Sequence, residues 1–107
     1  MPSVSRKVIY VLVCLSFLLA LTGVQPAYAA SITVTTTADE NNTGASCSLR
    51  EAITAANTNA AVSGCSAGSG TDTITLPAGT YTLSSELPAV TSTIIINGNG
   101  AATTIVQ

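Results

Sequence analysis

Hydrophobic and polar positions along this chain change their period several times. Residues 8–21 are uncharged and nearly all apolar. Residues 31–37 alternate Ile32 and Val34 with threonines, the period-two pattern of a half-buried strand. Residues 38–46 are polar and carry Asp39-Glu40-Asn41-Asn42, which predicts a loop. Leu49, Ala52, Ile53 and Ala56 then recur at i, i+3, i+4 and i+7. This predicts one apolar face of a short helix ending near 57–59. Ser48 and Glu51 have capping-box spacing: the hydroxyl meets the third helical N–H and the carboxylate reaches back. Residues 60–71 are rich in Gly, Ser and Ala and predict a loop.

From residue 72 the period returns to two. Strands are predicted at 73–76 and 80–83, separated by a Pro77-Ala78-Gly79 turn. Leu87-Pro88 begins a further connection. Residues 93–96 form a continuous apolar strand, the type buried on both sides or in a parallel sheet. Residues 97–100 predict a turn, with Asn97 and Asn99 as turn formers because Asn tolerates left-handed backbone. A last strand is predicted at 103–106. Ile74/Leu76 and Ile94/Ile96 lie twenty residues apart, and each pair runs into a turn. That period suggests a solenoid; an antiparallel hairpin over 73–83 explains the first half equally well.

The first apolar run reads as a leader. Arg6 and Lys7 precede it, Gly23, Gln25 and Pro26 break it, and Ala27-Tyr28-Ala29 offers small residues at −3 and −1. This is the layout of a secretory signal peptide cleaved between Ala29 and Ala30. Fourteen residues is short of the roughly 20 that span a bilayer, so no membrane span is expected after cleavage. Cys14 lies inside the apolar run behind bulky Val13, a poor setting for a lipid acceptor. The organisation expected is therefore a signal peptide (1–29), a strand, helix and loop unit (30–71), and a strand-rich remainder (72–107).

Composition narrows the chemistry. After residue 29 the charges are Arg50 against Asp39, Glu40, Glu51, Asp72 and Glu86, a net charge of −4. That balance argues against nucleic acid, which needs a basic footprint. The chain has no His, which removes the commonest general base and most zinc and haem sites. With no Lys after residue 7 either, Ser48 has no base to make it a nucleophile. Sixteen threonines and one aromatic residue, Tyr81, follow residue 29. This suits an extracellular β-protein with hydroxyl-covered strands rather than a stacking or cation–π site.

Cys47 and Cys65 remain after cleavage. Export places them in an oxidising compartment, where a disulfide is the default; a loop of this size contributes about 3 kcal/mol. Their spacing is far from C-x-x-C, and no His completes a metal site. Arg50 lies in the first helical turn and reads as a structural ion-pair partner of Asp39, Glu40 or Glu51. No cofactor is expected. Ca²⁺ at 39–42 is the one alternative, and those residues lack calcium-loop spacing, so a solvated acidic turn is the plainer reading. Asn41-Asn42-Thr43 is a glycosylation sequon, a pattern frequent by chance.

Cys47-Ser48-Leu49-Arg50-Glu51-Ala52, followed by Ile53 and Ala56-Asn57, resembles the CSLREA-type domain of secreted bacterial proteins. The run from Asp72 through Leu76-Pro77-Ala78-Gly79 to Tyr81 is similar to the segment where such proteins enter a right-handed parallel β-helix of the pectin-lyase-like kind. Ile96-Asn97-Gly98-Asn99-Gly100 with Thr104-Ile105 resembles their first complete coil. The resemblance spans nearly all of 31–107. It implies a mainly β fold, the start of a right-handed parallel β-helix, with an N-terminal cap containing one short α-helix. It departs in length: one to two coils where repeat folds need about three or more. Residues 105–107 end within a strand-like run, which reads as truncation.

Three functions follow as expectations. The first is an exported, non-catalytic structural module that caps and nucleates a β-helix outside the cell. The second is a fragment of a carbohydrate-active lyase or hydrolase whose catalytic coils are absent. The third is an adhesion or self-association module using an open strand edge. The sequence names no ligand.

Overall fold

The computed structural model describes residues 28–107. Most of the leader expected over 1–29, with Cys14, lies outside the described residues. Tyr28 and Ala29 are exposed and Ala30 is partly buried, so the expected cleavage point between Ala29 and Ala30 is one residue before the first strand.

Six elements follow: β1 (Ser31–Thr33), α1 (Leu49–Thr58), β2 (Asp72–Leu76), β3 (Gly79–Tyr81), β4 (Ile94–Gly98) and β5 (Thr104–Val106). All strand pairing is parallel. β1, β2 and β4 form one sheet in that order, and β3 and β5 form a second. Ile32 pairs with Ile74, and Ile74 with Ile96, so three isoleucines stack in one in-register row. In the second sheet Tyr81 pairs with Val106.

The expected β-helix is not formed. Among the described residues there are two small parallel sheets and one helix, with no closed coil and no solenoid. The physical reason is the small number of stacked repeats. Only β2–β3 and β4–β5 recur as a strand-turn-strand unit, whereas residues 34–71 between β1 and β2 are taken up by the helix and the disulfide loop. A solenoid core needs neighbours on both sides of each repeat. The hairpin over 73–83 is not formed either, because β2 and β3 belong to different sheets.

Local chemistry explains the elements. Ser48 is extended at φ −81° and ψ 164° and caps α1, with the Glu51 N–H donating to its Oγ and its own N–H donating to the Glu51 carboxylate. Asn59 ends the helix in the left-handed region at φ 50°, which Asn tolerates. Beyond Leu49, Ala52, Ile53 and Ala56, the buried face also takes in Glu51 and Ala55. Gly68 explains part of that closeness: a Cβ there would lie 2.7 Å from the Ala56 Cα and 2.8 Å from the Ala55 carbonyl oxygen. Gly79, at φ +154°, turns the chain from the first sheet to the second in a conformation that favours glycine.

Two strands differ from expectation. β1 stops at Thr33 because the N–H groups of Thr35 and Thr36 donate to the Cys47 carbonyl instead of to a strand. β4 runs on through Asn97 and Gly98, read above as a turn, because both stay paired with Thr75 and Leu76. The repeat is accordingly 22 residues (Ile74 to Ile96) and places Asp72 opposite Ile94.

Burial falls off across the first sheet. Ile32 and Ile74 are fully buried, whereas Ile96 is 50% exposed and Ile95 53%. The apolar run 94–96 is therefore in a parallel sheet but not buried on both faces. Ile74→Ala is expected to cost about 2–5 kcal/mol. Ile96→Ala should cost about 1 kcal/mol or less, since half its surface already meets water. Urea unfolding of the two variants measures the difference.

Candidate functional site

The functional candidates divide into a network around the N-terminus of α1 and an open edge formed by β4 and β5.

Glu51 is the centre of the first. It is 1% exposed, and its carboxylate accepts hydrogen bonds from the Asn42 N–H and the Ser63 hydroxyl on Oε1 and from the Ser48 N–H on Oε2. Burial works to raise its pKa, but the N–H groups of Asn42 and Ser48 and the Ser63 hydroxyl outweigh it and hold the group below its ordinary value. Ser48 returns its hydroxyl proton to the Glu40 carbonyl at 2.7 Å. One carboxylate thus joins the helix start to the loops on both sides of it. The capping pair Ser48 and Glu51 stands where the sequence placed it; the reach of Glu51 to Asn42 and Ser63 could not be seen from i, i+3 spacing.

The Cys47–Cys65 disulfide closes the same region, with its Cα atoms 4.7 Å apart, inside the range that disulfides occupy. Both cysteines are buried. Val62 and Cys65 form an isolated bridge beside it.

Arg50 takes Asp39 as its partner, not Glu40 or Glu51. Its Nε donates to Asp39 Oδ1 at 2.8 Å and one terminal nitrogen to Oδ2 at 2.9 Å, a fork-on-carboxylate geometry that favours arginine. Two further donors go to the carbonyls of Ser85 and Glu86. Ser84 completes the cluster by donating both its N–H and its hydroxyl to Asp39. The Arg50 guanidinium, then the Ser84 donors, hold the Asp39 carboxyl well below the usual carboxylate range, and Asp39 raises the pKa of Arg50. The acidic turn at 39–42 is therefore engaged internally: Asp39 faces a cation of this chain, and Asn42 Oδ1 accepts from the Gly44 N–H.

Three features had no clear sequence signal. Asn57 holds the 89–92 segment through the Ala89 carbonyl and the Thr91 N–H. Asp72 is fully buried; Oδ1 accepts from the Ser69 N–H at 2.7 Å and Oδ2 has no hydrogen-bond partner. A shallow cavity of about 110 Å³ lies between Val34, Thr35–Thr37, Pro77 and Tyr81. No charged side chain lines it, and the Tyr81 hydroxyl already donates to the Pro77 carbonyl. Burial pushes the pKa of Tyr81 up.

No family model, curated protein or solved structure matches the chain. The CSLREA-type resemblance accordingly stands on the residues of its motifs alone. Among the described residues no group of three His, Cys, Asp or Glu side chains could hold a metal ion, and no helix is long and apolar enough to cross a membrane.

The open edge is the second candidate. Among the described residues β4 has a ladder partner on one side and β5 on one side. Ile95, Ile96, Ile105 and Val106 are exposed along these strands, and residues 87–107 carry no charge. Exposed edges are usually blunted by charge or proline; these strands carry neither. The apolar 94–96 run was legible, but its position at a sheet edge was not.

The Glu51 network gives a pH dependence. The folded pKa values of Glu51 and Asp39 are lowered, so their contribution is complete above the ordinary values of about 4.3 and 3.9. It is lost as pH falls through the folded values. In that window the unfolded chain binds protons first, and stability falls with pH. Glu51→Gln is expected to cost about 1–3 kcal/mol at neutral pH by leaving a buried donor unmatched. Its thermal midpoint should also fall less steeply below about pH 4.5 than that of the parent.

Proposed function

We propose that the chain is an exported, non-catalytic structural module. Its work is to carry a disulfide-tied helical unit that seals one side of a small parallel-sheet core outside the cell. The observation that supports this most directly is the burial gradient along one in-register row: Ile32 and Ile74 are fully buried, and Ile96 is half-exposed. The residues that elsewhere supply chemistry are used here for cohesion. Glu51 gathers two loops, and Asp39 and Arg50 engage each other and the 84–86 segment.

Export is supported by the leader pattern and by the buried disulfide, which belongs with oxidising compartments. Adhesion or self-association is the second reading, favoured by the uncharged, singly paired strands β4 and β5.

Intact-mass measurement of the protein recovered outside the producing cell, before and after reduction, tests the reading. The expected mass starts at Ala30, and reduction adds about two hydrogens for the Cys47–Cys65 bond. Recovery inside the cell with the leader attached and both thiols reduced would overturn it.

A further inference from the structure

We propose that Ser63 is a latch on the Cys47–Cys65 bond: the turn at 62–65 opens as a local unit, and the Ser63 hydroxyl sets how often a reductant reaches the sulfurs. The proposal goes beyond the structural-module reading and does not depend on where the protein resides.

The two cysteines are held in different ways. Cys47 is built into the fold. Its N–H donates to the Thr35 hydroxyl, its carbonyl accepts from the N–H groups of Thr35 and Thr36, and the capped start of α1 follows it directly. Cys65 belongs to a turn that closes on itself. The Val62 N–H donates to the Cys65 carbonyl and the Cys65 N–H to the Val62 carbonyl. These two bonds travel with the turn and tie it to nothing else. Ala60 and Ala61 before it and Ser66 and Ala67 after it are exposed. The next anchor is the Gly68 N–H, which donates to the Ala55 carbonyl.

Besides the partly buried Val62 side chain, two residues fasten the turn outward. Gly64 donates its N–H to the Ser46 carbonyl at 3.0 Å, and a Cβ there would lie 1.9 Å from the Ala45 carbonyl oxygen. Ser63 turns its hydroxyl to Glu51 Oε1 at 2.8 Å and to the Asn42 carbonyl. Its backbone sits at φ 51°, in the left-handed region that serine seldom adopts. That conformation persists because the surrounding contacts hold it. While the turn is seated both sulfurs are covered, with Cys47 fully buried and Cys65 3% exposed. Attack on a disulfide needs access to one of its sulfurs, so the turn must lift before the bond can break.

Ser63 is also the cleanest place to release the turn. Removing its hydroxyl leaves both bonds of the Ser48–Glu51 cap in place, so the helix keeps its start. A water-soluble phosphine is the probe. It attacks one sulfur and breaks the S–S bond. Water then gives its oxygen to phosphorus and its protons to the two thiols. One disulfide is thereby reduced by two electrons and one phosphine is oxidised to its oxide.

The test is the rate at which excess phosphine reduces the oxidised protein, read by thiol alkylation and mass, in urea concentrations below the unfolding transition. The parent rate is expected to be nearly independent of urea, because lifting one turn exposes little surface. Ser63→Ala should raise the rate about ten- to a hundredfold, the loss of a hydrogen bond to a charged group, with the same shallow urea dependence. A parent rate that climbs with urea as steeply as global unfolding overturns the proposal, because the bond would then be reached only by unfolding the whole chain. An unchanged rate in Ser63→Ala also overturns it. If Ser63→Ala does not fold, the urea dependence of the parent decides alone. None of these outcomes bears on export, which the intact mass tests separately.

Discussion

A buried carboxylate is stable only when its charge is met by donors, and Glu51 is the point where this structure satisfies that condition. Its side chain is removed from water and answered by two backbone N–H groups and a hydroxyl. The donors come from three places: the helix cap, the loop before it and the disulfide loop after it. Fixing one carboxylate therefore fixes three segments. Because the cost of leaving any of these groups unpaired is paid in full inside a protein, the arrangement holds together or fails as a unit.

That unit positions the rest of the chain. The helix presents Leu49, Ala52, Ile53 and Ala56 to the sheet, and its exposed side reaches over the segment that leads into β4. Arg50, through Asp39 and the carbonyls of Ser85 and Glu86, fixes one end of that segment. Asn57 fixes the other. Both residues belong to α1, so the helix is tied at two points to the segment that precedes β4.

The consequence is an asymmetric core. On the helix side the apolar rows are covered and polar groups are matched, with one oxygen of Asp72 the exception. On the β4 and β5 side the same rows run into water. The strands on that side carry none of the charges that usually blunt a sheet edge. The charged residues follow the same division: every one after the leader falls between residues 39 and 86.

Features decided by local chemistry are legible in the sequence. The capping box, the helix span, the disulfide pair and most strand positions depend on spacing, turn chemistry and burial of one face, all of which the residues state directly. Arg50 was legible as an ion-pair donor, but three carboxylates were within its reach on paper, and only the folded path of residues 38–46 selects Asp39. The β-helix expectation fails because a two-fold recurrence of strand and turn has the same local pattern whether or not enough repeats stack to close a coil. The shortened β1, the extended β4, the buried Asp72 and the clamp at Asn57 share one cause: each depends on what lies across the fold, at a distance the linear pattern does not encode. What the sequence determined by itself was which segments are strands and helix and which side chains seek cover. Which of those side chains found it was decided by tertiary packing, because burial is a property of the neighbours and not of the residue.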